Sequence, residues 1–188
     1  MEPVRLAGSV LGCNCHVCAF VHSKEEEYRV LMPFIKDGFE KGDRAFHFLD
    51  PNHRADHLRR LEEEGIDVAA AEATGQLEVR RWQEAYIEDE HFDQYRMIAT
   101  MEWALEDLPG VHDLVEYETR LNQVLPHYHD PVICTYDLSR FDASVAIDIM
   151  RTHPMVIIGG LLQENPFYVP PDEMLQELKE RTNDETAD

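Results

Sequence analysis

Apolar residues recur along the chain at two spacings, and segments of the two kinds alternate. Short apolar or alternating runs predict strands, and they occupy residues 12–21, 44–50, 76–82, 131–141 and 155–163. Longer segments with apolar residues three and four apart predict helices over residues 23–42, 51–65, 66–75, 93–110, 111–126 and 142–154. The first helix has the clearest ends, because Ser23 and Glu26 form a capping box and Gly42 follows its last turn.

This alternation of strands and helices predicts the class of fold. Strands that are joined by helices usually form a parallel sheet with helices on both faces. We therefore expect a three-layer α/β domain with a mostly parallel central sheet. Residues 1–178 form one domain in this interpretation, and residues 179–188 form a polar C-terminal tail.

A cysteine-rich stretch, GCNCHVCAF at residues 12–20, carries the most distinctive chemistry. Its candidate metal ligands are Cys13, Cys15, His16 and Cys18, a set that suits zinc or another thiophilic ion. In a straight strand the side chains alternate, so Cys13 and Cys15 face one way with Val17, Ala19 and Val21, while His16 and Cys18 face the other way. A turn over residues 12–15 would be needed to bring all four to one ion. A buried structural strand and a redox-active thiol pair are the alternatives.

Charge and cysteine content limit the classes of partner. The formal net charge of −21 comes from 38 acidic and 17 basic residues, and such a surface repels phosphate backbones, so we expect no direct nucleic-acid binding. No apolar run approaches the roughly 20 residues of a membrane helix. Four cysteines, three of them clustered, favour a cytoplasmic protein with reduced thiols over a disulfide scaffold.

Polar and aromatic residues near the predicted strand ends are the candidates for ligand binding. In open α/β sheets ligands bind beyond the carboxyl ends of the strands. The candidate ligand-binding residues are His22, Trp103, Tyr136, Asp137, His153 and Asn165. For Trp103 the alternative is a core position, and for His153 it is a helix cap. We also expect Cys134 to lie near Cys18 if their strands are neighbours.

Five segments in order resemble the MEDS family, the methanogen/methylotroph DcmR sensory domain. They are HVCAFVHSKEEEYRVLMPFIKDGFEKG, GIDVAAAEATGQLEVRRWQEAYI, EWALEDLPGVHDLVEYETRLN, CTYDLSRF and RTHPMVIIGGLLQENPFYVPP. His16 and Cys18 match the usual H-x-C opening of the family, whereas Cys13 and Cys15 look particular to this chain. The resemblance implies a degenerate RecA/KaiC-like fold that senses small molecules upstream of transcription or phosphorelay outputs. The chain departs from the family where FDQYRMIAT runs directly into MEWAL, so we expect a sheet that is shortened in the middle.

The segment FVHSKEEE (20–27) stands where a RecA-like ATPase carries its phosphate loop. It has no glycine, and its three glutamates would repel a triphosphate, so we expect no ATP binding or ATPase activity. The resulting hypothesis is a non-enzymatic, homodimeric sensing domain that binds a small molecule or metal-containing cofactor and signals to a regulator or kinase partner. The alternatives are a metal- or thiol-dependent enzyme that uses Cys13 to Cys18, and a scaffolding module with an inactive ATPase fold.

Overall fold

A seven-stranded, mostly parallel sheet forms the centre of the protein. The computed structural model describes residues 4–11, 16–81, 94–105, 111–127 and 130–185. The strands are β1 (Val4–Leu6), β2 (Ser9–Leu11), β3 (His16–Val21), β4 (Arg44–Phe48), β5 (Leu77–Arg80), β6 (Tyr95–Thr100), β7 (Val132–Asp137), β8 (Met155–Ile158) and β9 (Leu161–Glu164). β1 and β2 form a separate hairpin, and the main sheet has the order β5-β4-β6-β7-β3-β8-β9. Its neighbouring strands are parallel except for the antiparallel pair β8 and β9.

Helices cover both faces of this sheet, which confirms the expected three-layer α/β architecture. The helices are α1 (Lys24–Lys41), α2 (Arg54–Glu63), α3 (Val68–Thr74), α4 (Val111–Val124), α5 (Ala143–Thr152) and α6 (Pro171–Glu185). One apolar cluster joins the sheet to α1, α2 and α3, and a second joins it to α4, α5 and α6. The boundary that we expected at residue 178 falls inside α6, so residues 179–185 are helical. None of the helices in the described ranges is both long and apolar enough to span a membrane.

The start of α1 and the faces of β3 agree with the sequence analysis. The Ser23 side chain accepts a hydrogen bond from the Glu26 amide at 3.2 Å, and Gly42 ends the helix at a φ of 79°. In β3, Val17 and Ala19 pack in the cluster on the α1 side, while Cys18 lies in the cluster on the α4 side. The predicted alternation is therefore confirmed for the part of β3 that the structure describes.

The segment before MEWAL was predicted wrongly. We expected a helix over residues 93–110, but residues 95–100 form β6, and a 3-10 helix follows at Met101–Leu105. β6 lies between β4 and β7 with almost every side chain buried, so it lacks the alternation that identifies a half-exposed strand. Met97 and Met101 are four residues apart, and this spacing is also the one expected for the apolar face of a helix. β6 fills the position where we expected the sheet to be short of a strand.

A buried arginine joins β6 to α1. Arg96 is 2% exposed and donates hydrogen bonds to Asp43 Oδ2 at 2.7 Å, to Asp37 Oδ2 at 2.6 Å and to the Phe34 carbonyl at 2.7 Å. Gly38 of α1 makes room for it, because a Cβ there would lie 2.6 Å from Arg96 Cδ. The two carboxylates and the carbonyl hold the guanidinium in one position.

Candidate metal centre

Four side chains that can ligate a metal meet in the core on the α4 side of the sheet. They are His16, Glu118, Cys134 and His153, and their ligand atoms all lie within 4.8 Å of one another. Every one of the four is at most 2% exposed. Buried polar groups of this kind are costly unless they are well paired, so the cluster calls for a physical explanation.

The topology brings these four residues together from distant parts of the chain. His16 is the first residue of β3, and Cys134 lies in the neighbouring strand β7. His153 lies between α5 and β8, and β8 is the other neighbour of β3. Glu118 lies on α4, which covers this face of the sheet. We name this set of four residues the buried centre.

The distances within the buried centre fit a tetrahedral ion. The Oε2 atom of Glu118 lies 3.2 Å from His16 Nε2, 3.5 Å from His153 Nε2 and 3.8 Å from Cys134 Sγ. Cys134 Sγ lies 3.6 Å from His16 Nε2. A tetrahedral zinc site with ordinary bond lengths has ligand–ligand separations of roughly 3.3 to 3.7 Å. Four of the six ligand–ligand distances are therefore close to those that one bound ion requires, and the other two are at most 4.8 Å.

Outer hydrogen bonds turn both imidazoles toward the centre. His153 Nδ1 lies 2.9 Å from the Ile149 carbonyl oxygen, which can only accept, so Nδ1 carries the hydrogen. His16 Nδ1 lies 3.0 Å from Asn122 Oδ1, while the Asn122 amide nitrogen donates to two backbone carbonyls. In both rings Nδ1 therefore carries a hydrogen and Nε2 points toward the centre, and this is the orientation that metal-binding histidines adopt.

Burial and neighbouring groups shift the pKa values of His153, Glu118 and Cys134. Burial, and then the neighbouring His16 ring, lower the pKa of His153 to about 3, so its imidazole is neutral at pH 7. Burial raises the pKa of Glu118, but the imidazoles of His153 and His16 outweigh it and hold the pKa below its ordinary value. Burial and then Glu118 raise the pKa of the Cys134 thiol well above its usual range. His153 Nε2 has no hydrogen-bond partner among the described residues, and a metal cation at the centre would instead be bound by its lone pair.

Tyr136 supports the carboxylate of the centre. Its hydroxyl donates a hydrogen bond to Glu118 Oε1, which leaves Oε2 facing the two imidazoles and the thiol. The side chain is 1% exposed and lies in the same cluster as Cys134. The structure therefore places Tyr136 beneath α4 beside the buried centre, and not at the rim that the sequence order suggested.

The residues first proposed as metal ligands only partly meet. His16 belongs to the buried centre, whereas Cys18 does not, although it pairs in register with Cys134 across β3 and β7. This pairing confirms the expected proximity of the two thiols. Burial, and then Glu118, raise the pKa of Cys18 well above its usual range. Cys13 and Cys15 lie outside the described residues.

The other candidate ligand residues are separate from the centre or only support it. His22 is exposed after β3, and its amide donates to Glu26 Oε2 at 2.9 Å. Trp103 is half-buried, and Asp137 accepts a hydrogen bond at 2.8 Å from the amide two residues later. Asn165 donates to the carbonyls of Met150 and His153 at 2.6 and 2.7 Å. None of these four candidates contributes a ligand atom to the buried centre.

Glu118 is the ligand that the sequence analysis missed. The apolar spacing over residues 111–126 predicts a buried face of Val111, Leu114, Tyr117, Leu121 and Leu125, but among the described side chains of α4 the buried ones are Leu114, Val115, Glu118 and Thr119. Tyr117 is 38% exposed. The available signal was a charged residue four positions after Leu114, on the same side of the helix.

Comparison with known proteins agrees with the resemblance seen in the sequence. The sequence model of the MEDS family, described as the methanogen/methylotroph DcmR sensory domain, matches residues 15–100 and 89–154. The chain belongs to the MEDS family. All four residues of the buried centre lie inside the matched part of this MEDS domain. Membership of a family of sensory domains supports a signal-sensing role.

One characterised relative is the transcriptional repressor DcmR of Methylorubrum extorquens (strain DSM 6343 / CIP 106787 / DM4). It is 25% identical to this chain over 164 residues, which cover 79% of this chain and 62% of the relative. The chain thus spans less than two thirds of the length of that repressor.

Proposed function

We propose that this MEDS domain is a non-enzymatic, cytoplasmic sensing domain that holds a thiophilic divalent metal at the buried centre and signals through a partner regulator. The observation that carries the proposal is the convergence of His16, Glu118, Cys134 and His153 in the core. Metal occupancy, or a small molecule that alters it, is the signal in this proposal.

The charge of the centre favours a divalent ion. With its thiol deprotonated by the metal, Cys134 supplies one negative charge and Glu118 supplies another, while the two imidazoles are neutral. A divalent cation therefore gives a neutral site, which is the least costly charge to bury. One thiolate, two imidazoles and one carboxylate are ligands that zinc accepts readily.

The ligand set favours sensing over catalysis. Four protein ligands complete a tetrahedron, whereas catalytic zinc sites keep one position for water or substrate. The thiols of Cys134 and Cys18 are both buried, and reactive cysteines are usually accessible and low in pKa. These features support a non-enzymatic role over the metal- or thiol-dependent enzyme.

The output requires another protein in this proposal. The chain is strongly acidic, with a net charge of −21, which opposes direct binding to DNA. The DcmR relative is named a transcriptional repressor, and we propose that a regulator or kinase partner, together with a second copy of this chain, completes the signalling unit. A DNA-shift assay with the purified chain should be negative, and tight, specific DNA binding would refute this part.

Metal analysis of two matched cysteine variants tests the centre. The protein is purified anaerobically without chelators, its metal content is measured, and Co²⁺ is then bound so that thiolate ligation appears as a charge-transfer band. We expect about one metal per chain in the wild type and in Cys18→Ser, and loss of the cobalt–thiolate band in Cys134→Ser. Cys18→Ser is a closely matched control for Cys134→Ser, because the two cysteines are both buried and lie opposite each other in adjacent strands.

Two results would overturn the proposal. One is a wild-type protein that binds neither zinc nor cobalt while it remains folded. The other is loss of the cobalt–thiolate band in Cys18→Ser with retention in Cys134→Ser, since the metal would then bind at the cysteine-rich strand.

A further inference from the structure

The Asn122 side chain lies directly behind the buried centre and uses its whole amide group there. Its Oδ1 atom lies 3.0 Å from His16 Nδ1. Its Nδ2 atom donates to the Thr152 carbonyl at 2.6 Å and to the Glu118 carbonyl at 3.1 Å. One side chain thus contacts β3, α4 and the end of α5.

The donors and acceptors around this amide allow one orientation. Both carbonyl oxygens can only accept, so they require the NH₂ group, and Oδ1 must then face His16. The flipped amide would set Oδ1 against two carbonyl oxygens. Because Oδ1 can only accept, His16 Nδ1 carries a hydrogen, and Nε2 is the nitrogen that is left to bind an ion at the centre.

Asn122 also connects the segments that carry three of the four ligands. It binds the ring of His16 directly, and Glu118 lies one turn earlier on its own helix. Thr152, whose carbonyl it binds, immediately precedes His153. Outer hydrogen bonds to metal-binding histidines fix the ring orientation and tautomer, and their loss typically weakens metal binding 10- to 100-fold.

We propose that Asn122 is a positioning residue of the metal centre, which selects the His16 nitrogen that binds the ion and ties the α4 ligand to the end of α5. This inference rests on the proposed metal-binding function. Asn122 does not contact the ion itself in this arrangement. It acts through His16 and through the backbone around His153.

Three variants test this role. Asn122→Leu removes both the acceptor and the donors, whereas Asn122→Asp keeps an acceptor for His16 but cannot donate to Thr152. Thr119→Val is the matched control, because Thr119 is a buried residue of the same helix whose hydroxyl donates to the Val115 carbonyl at 2.7 Å. It shares no hydrogen bond with the centre.

The first measurement is the imidazole ¹⁵N–¹H spectrum of the metal-free protein, which reports the protonated nitrogen of each ring. We expect a hydrogen-bonded proton on His16 Nδ1 in the wild type, Thr119→Val and Asn122→Asp, and loss of that Nδ1 signal in Asn122→Leu. The second measurement is Co²⁺ affinity by competition, where Asn122→Leu should bind about 10- to 100-fold more weakly. Asn122→Asp should lose less, and Thr119→Val should match the wild type.

The outcomes separate this inference from the proposed function. If the wild type binds cobalt through Cys134 and Asn122→Leu changes neither the tautomer nor the affinity, Asn122 has no positioning role. Equal loss of affinity in Thr119→Val and Asn122→Leu would also refute it, because a general loosening of α4 would then explain both. A wild type that binds no metal would refute the proposed function whatever the tautomer.

Discussion

Substitution of Gly38 by alanine should destabilise the protein through its contact with Arg96. On an ordinary helix this change is favourable, because alanine is about 1 kcal/mol better than glycine in a helix interior. Here the new Cβ would lie 2.6 Å from Arg96 Cδ and 2.8 Å from Arg96 Nε. Contacts this short require the arginine or the helix to move.

Arg96 cannot move freely, and this sets the size of the effect. Its guanidinium is held by Asp43, Asp37 and the Phe34 carbonyl, and its side chain is 2% exposed. Overpacking of a buried site costs about 1 to 3 kcal/mol, and breaking a buried ion pair costs about 3 to 5 kcal/mol. After the gain in helix propensity of about 1 kcal/mol, we expect a net loss of up to about 4 kcal/mol, with the larger values if the buried ion pairs break.

A double-mutant cycle measures this contact. Urea unfolding is followed for the wild type, Gly38→Ala, Arg96→Ala and the double variant. In the Arg96→Ala background the obstacle is gone, so Gly38→Ala should become stabilising by up to about 1 kcal/mol. If Gly38→Ala has the same effect in both backgrounds, the close approach of Arg96 is not what requires glycine, and the reasoning fails.

Three further predictions concern the buried centre and a second histidine pair. Tyr136→Phe removes the hydrogen bond to Glu118, so urea unfolding should show a loss of about 1.5 to 3 kcal/mol in the free energy of unfolding. Co²⁺ competition should show weaker binding. Tyr168→Phe is the control, and equal losses in both variants would refute the role of Tyr136. Zinc at 100 times its dissociation constant should stabilise the wild type by about 2.7 kcal/mol, which raises the melting temperature by roughly 5 to 10 °C, and a chelator should reverse the shift; no shift would contradict metal binding by the folded state. His57 hydrogen-bonds to both Tyr28 and His47, and burial lowers its pKa to about 4. Because the unfolded pKa is about 6.5, the unfolded chain binds the proton first, so this contribution to stability is lost as the pH falls from about 6.5 to 4. His57→Gln should make the decline in unfolding free energy over this range shallower, whereas the exposed His127→Gln should not, and an unchanged slope in His57→Gln would refute the assignment.

Local patterns were sufficient for much of the fold. The capping box at Ser23 and Glu26 and the glycine at position 42 fixed α1, because these signals act within a few residues. The alternation in β3 correctly separated Val17 from Cys18. Local patterns failed at β6, where burial on both faces removes the alternation that distinguishes a strand.

The buried centre depends on contacts that no local pattern contains. His16 and Cys134 meet because β3 and β7 are neighbours. The sequence did not establish which strands are neighbours, so it placed Cys134 near β3 only on the condition that these two strands pair. Glu118 was missed because the inward face of α4 was chosen by hydrophobicity, which favoured the exposed Tyr117 over a buried carboxylate. The cysteine-rich motif directed attention to ligands close in sequence, whereas the centre uses residues close in space.

The wide spacing of the ligands along the chain decides when the centre can form during synthesis. His16 leaves the ribosome early, but its partner His153 follows only after 137 more residues, as their numbers show. A nascent chain that ends before β8 has no complete site, and the entropy of closing so long a loop is overcome only when the sheet assembles. Under the proposed function, metal loading would be a late event that follows translation of nearly the whole domain, and a loaded centre would mark a chain that has finished folding.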